Sequence, residues 1–115
     1  MGASAGGHLT ATLATHYNSE TRPDFQILLY PVVTMMQVTR GNTRTALLGK
    51  NPTMEQIQKF SGELQVTPDT PQAFIALTSD DPSVAPYHGV NYYLALQKNK
   101  VPATLHVYPT GGHGW

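Results

Sequence analysis

Apolar residues in this chain fall into short clusters whose period changes from one cluster to the next. Residues 2–16 begin with a tight small-residue turn, Gly2-Ala3-Ser4-Ala5-Gly6-Gly7. Leu9, Leu13 and His16 follow at spacings of four and three, a helical stripe that predicts a helix. After a polar loop over 18–23, the run from Phe25 to Pro31 is short and mostly apolar. It predicts a strand buried on both faces, as parallel strands are. Residues 32–51, rich in Thr, Arg and Gly, read as irregular. Residues 53–60 predict a short helix, with Thr53 as N-cap and Gln56 three residues later.

A loop over 62–71 leads to a second buried strand at 73–78. Residues 79–86 form a loop containing Asp80 and Asp81. Residues 87–100 predict an amphipathic helix whose broad apolar face is Val90, Tyr93, Leu94 and Leu96, with His88 on a surface helix position. A third strand at 103–108 runs into the Gly-rich loop 109–115. Strands alternating with helices imply a parallel sheet with right-handed crossovers. Function in such sheets collects at the carboxyl ends of the strands. Ser4, the Asp80–Asp81 pair and His113 all fall on strand exits, so one sheet edge should gather them.

Composition narrows the partners. The 115 residues allow one domain at most, and 12% charged residues with a net charge of zero leave no electrostatic footprint for nucleic acid. The same balance argues against a polybasic membrane patch, and no apolar run approaches a membrane span. Cysteine is absent, which excludes disulfides and thiolate metal sites.

The turn at Gly2-Ala3-Ser4-Ala5-Gly6 matches G-x-S-x-G. A nucleophilic serine of this kind sits on a sharp strand-to-helix turn, its hydroxyl clear of the sheet. Small residues are expected at both flanks, hence Gly2 and Gly6. The backbone N–H of Ala5, at the start of the new helix, would point at a developing oxyanion. Taken alone, such a five-residue pattern is as often a plain Gly-rich turn. His113, between Gly112 and Gly114, could swing over Ser4 as a general base, although a lone loop His is more often solvated. A carboxylate on the preceding strand exit would fix the imidazole's tautomer. Asp81 and Asp80 both stand there, and Asp before Pro is also ordinary turn chemistry. The order Ser, Asp, His on three successive strand exits carries the functional reading. The remaining histidines read as packing or surface residues: His8 lining the site wall or packing, His16 near a helix end, His106 alternating in a strand. None has metal-ligand spacing such as H-E-x-x-H, so neither metal nor cofactor is expected. Tyr92 and Tyr93 read as helix packing.

The segments GASAGGHL, QVTPDTPQAFIALTSDDPSVAPYHGVNYYLAL and VPATLHVYPTGGHGW resemble the α/β-hydrolase esterases that include acetyl-xylan-esterase-like proteins. The likeness runs along nearly the whole chain. It implies an α/β-hydrolase fold, with a parallel sheet flanked by helices, and a serine ester hydrolase acting on acetyl esters of polysaccharides or on small acyl esters. It also selects Asp81, since the family's Asp precedes a Val-Pro pair in a D-x-x-V-P arrangement and Val84 stands three residues after Asp81. Ala85 before Pro86 departs slightly from that pattern. The family's His-Gly-Gly-type oxyanion loop lies upstream of the nucleophile, and nothing here replaces it. Residues 1–115 are therefore expected to be the C-terminal portion of one α/β-hydrolase domain, an incomplete domain running from nucleophile elbow to catalytic His loop. Rival readings are a prolyl-oligopeptidase-type peptidase and an inactive truncated form.

Overall fold

The computed structural model describes residues 1–37 and 41–115. Residues 38–40, inside the stretch read as irregular, lie outside the described residues. Among the described residues four parallel strands, β1 (Gly2–Ala3), β2 (Phe25–Leu29), β3 (Gln72–Thr78) and β4 (Ala103–Tyr108), lie in the order β1-β2-β3-β4. The helices are α1 (Ala5–Thr15), α2 (Thr43–Leu48), α3 (Met54–Lys59) and α4 (Tyr87–Lys98), with a 3-10 turn at Gly62–Leu64. The α2 helix falls in the stretch read as irregular. Its six residues bury no side chain, so it carries no apolar stripe that periodicity could find. α3 begins as its sequence predicts, with a complete capping box between Thr53 and Gln56.

Ala11 of α1 and Tyr92 and Leu96 of α4 share one core cluster with Leu28, Ala73, Ile75 and Leu77 of the sheet. In a strand alternate residues share a face, so Ala73, Ile75 and Leu77 all look the same way. Both long helices therefore cover one face, as right-handed crossovers in a sequentially ordered parallel sheet require. The opposite face carries Phe25, Phe74 and Tyr108 in exposed positions. The expectation of a strand buried on both faces is thus corrected for β2: Gln26 and Leu28 are buried while Phe25 is exposed.

On both long helices the buried face differs from the apolar pattern in the sequence. On α1, Leu9 and Leu13 are 61% and 55% exposed, and the buried residues are Gly7, His8, Ala11 and Ala14. Small side chains let the helix axis approach the strands, and that close approach turns the leucines outward. On α4 the buried residues are His88, Gly89, Tyr92 and Leu96, whereas Leu94 is 56% exposed. Gly89 sets this face, because a Cβ there would collide with Leu77 Cδ2. His88, expected at the surface, is fully buried.

A second cluster, Val32, Met35, Ile57 and Val84, packs the segments beyond the strand ends. It seats the chain that leaves β2 against α3 and the loop after β3. Those connections support the site.

Candidate active site

Ser4 lies between β1 and α1 with φ 54° and ψ −122°. An L residue rarely adopts that backbone, and holding one there costs about 1–3 kcal/mol. Three hydrogen bonds hold it: Ser4 N–H donates to the Leu29 carbonyl, and the Ser4 carbonyl accepts from Gly7 N–H and Val32 N–H, each at 3.0 Å. Around this turn the need for small residues falls differently than expected. A Cβ at Gly2 would strike the Gly6 carbonyl oxygen and Thr10 Oγ1, so Gly2 is required as predicted. A Cβ at Gly6 meets nothing within 4 Å, whereas one at Gly7 would reach Pro31 Cβ at 2.6 Å. Contact with the chain leaving β2 therefore falls on Gly7. Ala5 is the first residue of α1, so its N–H belongs to the helix-start donors that lack an intrahelical acceptor.

The three strand exits converge. Ser4 Oγ lies 2.8 Å from His113 Nε2, and His113 Nδ1 lies 2.7 Å from Asp81 Oδ2. With a carboxylate on Nδ1, that nitrogen carries the proton, and Nε2 is left to accept from the serine hydroxyl; this tautomer is inferred from the bonds. The other oxygen of Asp81 accepts the N–H groups of Ser83 at 2.8 Å and Val84 at 2.9 Å. Burial pushes the Asp81 carboxyl upward. The hydrogen bonds from Val84, His113 and Ser83 outweigh that, so it sits below its ordinary value and stays ionised at neutral pH.

Asp80 does not reach the imidazole. Its Oδ1 accepts Gly112 N–H at 2.8 Å, and its Oδ2 accepts Gly111 N–H at 3.3 Å. The Gly112 N–H foremost holds this carboxyl below its ordinary value.

Tyr30, Trp115 and the anchoring role of His88 escaped the sequence reading. The Tyr30 ring meets the His113 ring edge-on, with centroids 4.9 Å apart, and Trp115 packs on Tyr30 from 5.4 Å. Tyr30 has φ 36° and leads directly into the Val32 bond to Ser4. Its position at the exit of β2 was the available signal. His88 Nδ1 accepts the N–H groups of Val33 at 3.0 Å and Thr34 at 3.2 Å, anchoring the same segment. His8, under the elbow, bonds through Nε2 to the Phe60 carbonyl at 2.8 Å, and burial lowers its pKa. Beside it, Ala5, Leu9, Ala46, Leu47 and Phe60 line a mostly apolar cavity of about 390 Å³. Among the described residues no cluster of His, Asp or Glu could hold a metal ion.

A serine on a strained strand-to-helix turn, a carboxylate loop and a histidine loop at the carboxyl edge of a parallel sheet are the arrangement of the α/β-hydrolase fold. Within that class the chain matches the prolyl oligopeptidase family over residues 1–115 and belongs to it. Among curated proteins it is 41% identical to an endo-1,4-beta-xylanase B of Butyrivibrio fibrisolvens, with 99% of this chain aligned to 20% of that protein. It is 36% identical to an acetylxylan esterase of Xylanibacter ruminicola, over 100% of this chain and 25% of the relative. Among solved structures, an acetyl ester-xyloside bifunctional hydrolase from Caldicellulosiruptor lactoaceticus superposes with a TM-score of 0.92 at 36% identity, covering 98% of this chain and 46% of that one. The chain thus spans a quarter or less of these curated relatives and under half of the solved one.

Proposed function

We propose that Ser4, His113 and Asp81 form a catalytic triad for acyl-ester hydrolysis, and that the substrate is an acetyl ester of a carbohydrate or a small acyl ester. The observation that carries this reading is the unbroken hydrogen-bond chain from Ser4 Oγ through His113 to Asp81. Ser4 Oγ attacks the acyl carbon, and its proton passes to His113 Nε2. Asp81 keeps the imidazole in the receptive tautomer and stabilises the imidazolium. Ala5 N–H, at the start of α1, donates to the oxyanion, and one such donor is worth about 10²–10³ in rate. His113 then returns the proton to the departing alkoxide, leaving an acyl-serine. Water, deprotonated by the same imidazole, attacks the acyl carbon; the bond to Ser4 Oγ breaks, His113 returns the proton to that oxygen, and the acid is released. No step calls for a metal or cofactor.

Two of the relatives support the ester over the peptide as substrate, since one is named an acetylxylan esterase and the other an acetyl ester-xyloside bifunctional hydrolase. The test uses the full-length protein with p-nitrophenyl acetate, acetylated xylan and a prolyl peptide. Acetate release from the first two, lost in Ser4→Ala, is expected. Near-normal turnover in Ser4→Ala would mean another nucleophile, and cleavage of the prolyl peptide alone would make the protein a peptidase.

A further inference from the structure

His113 sits among three glycines, Gly111, Gly112 and Gly114, with φ of 148°, 64° and 87°. Glycine backbone loses the most conformational freedom on being ordered, so a loop of this composition needs external restraint. A general base must also be held closely, because a misplacement of about 1 Å can cost roughly 100-fold in rate.

The restraint comes from a single strand exit. Thr78, the buried last residue of β3, donates its hydroxyl to the Gly112 carbonyl at 2.6 Å. Asp80, two residues on, accepts Gly112 N–H and Gly111 N–H on its two oxygens. Gly112 is gripped at both its N–H and its C=O, and His113 is the next residue. The fit is close, since a Cβ at Gly111 would lie 2.7 Å from Thr78 Cγ2. Bonds from N–H to an ionised carboxylate are roughly twice as strong as neutral ones. The sheet ladder continues into the same corner, where Ser79 N–H donates to the Tyr108 carbonyl at 2.8 Å. Two adjacent aspartates thus divide the work: Asp81 takes the imidazole and Asp80 takes the backbone that presents it.

We propose that Asp80, with Thr78, is a positioning residue of this site: it holds the Gly111–Gly112 backbone so that the His113 ring spans Ser4 and Asp81. It acts through His113 and touches neither substrate nor the transferred proton. The inference rests on the reading of His113 as the base.

The test compares Asp80→Ala, Asp80→Asn and Thr78→Val in the full-length protein. In Asp80→Ala, kcat with p-nitrophenyl acetate should fall about ten- to 100-fold, while KM stays within about two-fold, as for an effect on the chemical step alone. Asp80→Asn retains an acceptor for Gly112 N–H and should recover most of kcat. Thr78→Val keeps the shape without the hydroxyl and should lower kcat in the same sense. Amide exchange gives a readout independent of turnover: in Asp80→Ala the Gly112 N–H should exchange at least about ten-fold faster as its acceptor is lost, while the β3 amides keep their protection. Unchanged kcat with unchanged Gly112 exchange overturns the proposal, as does a change confined to KM. If Ser4→Ala keeps its turnover, the esterase reading fails, yet Gly112 exchange in Asp80→Ala still decides the clamp.

Discussion

The Nδ1 of His88 accepts the backbone N–H of Val33 at 3.0 Å, which ties α4 to the segment that supports Ser4. Thr34 donates to the same nitrogen, so the ring proton resides on Nε2 and the imidazole is neutral. Burial is the foremost reason its pKa falls from 6.5 to about 4, and nearby His8 lowers it further.

From this a pH dependence follows. The unfolded His88 binds a proton near its ordinary pKa, and the folded one only near 4. Between those values the unfolded chain holds more protons, so stability is complete above about 6.5 and declines as pH falls toward 4. His8, also lowered, adds a slope of the same sign. Urea midpoints measured from pH 7.5 to 4.5 should decline, and the decline should be shallower in His88→Asn. An equal slope in both proteins would count against His88 as its source. His88→Leu should cost about 1–3 kcal/mol for each backbone N–H left without an acceptor.

Asp81→Asn should spare the fold and remove most of the activity. The amide keeps an oxygen for the Ser83 and Val84 N–H groups, but it cannot both hold those donors and stabilise an imidazolium. In the serine-protease triad an amide at this position costs about 10⁴ in kcat. A comparable loss, with little change in KM, should appear in steady-state hydrolysis of p-nitrophenyl acetate. A loss under ten-fold would show that the carboxylate is not the orienting group.

Gly89→Ala should destabilise despite the better helix propensity of alanine. The new Cβ would run into Leu77 Cδ2 and come within 3.2 Å of Ile75 Cγ2, both in the buried core. Overpacking of this kind typically costs about 1–3 kcal/mol, against up to about 1 kcal/mol gained from propensity. Gly6→Ala is the contrast, since nothing stands within 4 Å of its Cβ. Thermal unfolding should lower Tm in the first variant and leave it unchanged or raised in the second.

Tyr92→Phe should weaken the core through a polar chain. The Tyr92 hydroxyl donates to Gln26 Oε1 at 2.9 Å, and Gln26 Nε2 donates to the Pro71 carbonyl at 2.9 Å, all of it buried. Removing the hydroxyl leaves the Gln26 oxygen without its donor, at a cost of about 1–3 kcal/mol. Gln26→Leu together with Tyr92→Phe should recover part of that loss. With Gln26→Leu alone completing the cycle, destabilisations of the two single variants that simply add in the double would show that the pair is not coupled.

Much of this molecule is local and therefore readable from the chain. Alternation of apolar runs with helical periods sets the parallel sheet. The Thr53–Gln56 capping box lies within four residues, so its donors and acceptors are named by the sequence. Ser4, the Asp80–Asp81 pair and His113 stand on the exits of β1, β3 and β4, and a parallel sheet brings all its strand exits to one edge whatever the packing details. Topology brings them to one end of the sheet, while the 2.8 Å contact between Ser4 and His113 also needs the loop after β4 to cross toward β1.

Other features depend on how the elements dock, and there the sequence offered equivalent choices. Asp80 and Asp81 are equal as turn residues, and resemblance alone preferred Asp81. Tertiary structure separates their bonds, turning one carboxylate to the His113 ring and the other to the Gly111 and Gly112 backbone. His88 looks like a surface histidine because its acceptor role needs Val33 and Thr34, which lie more than fifty positions away. The leucines of α1 form a sound helical stripe, yet close approach through Gly7, Ala11 and Ala14 buries the opposite side. A one-dimensional pattern records how apolar a face is. Which face is buried depends on how near the helix axis can come to the sheet, and only the packed structure decides that distance.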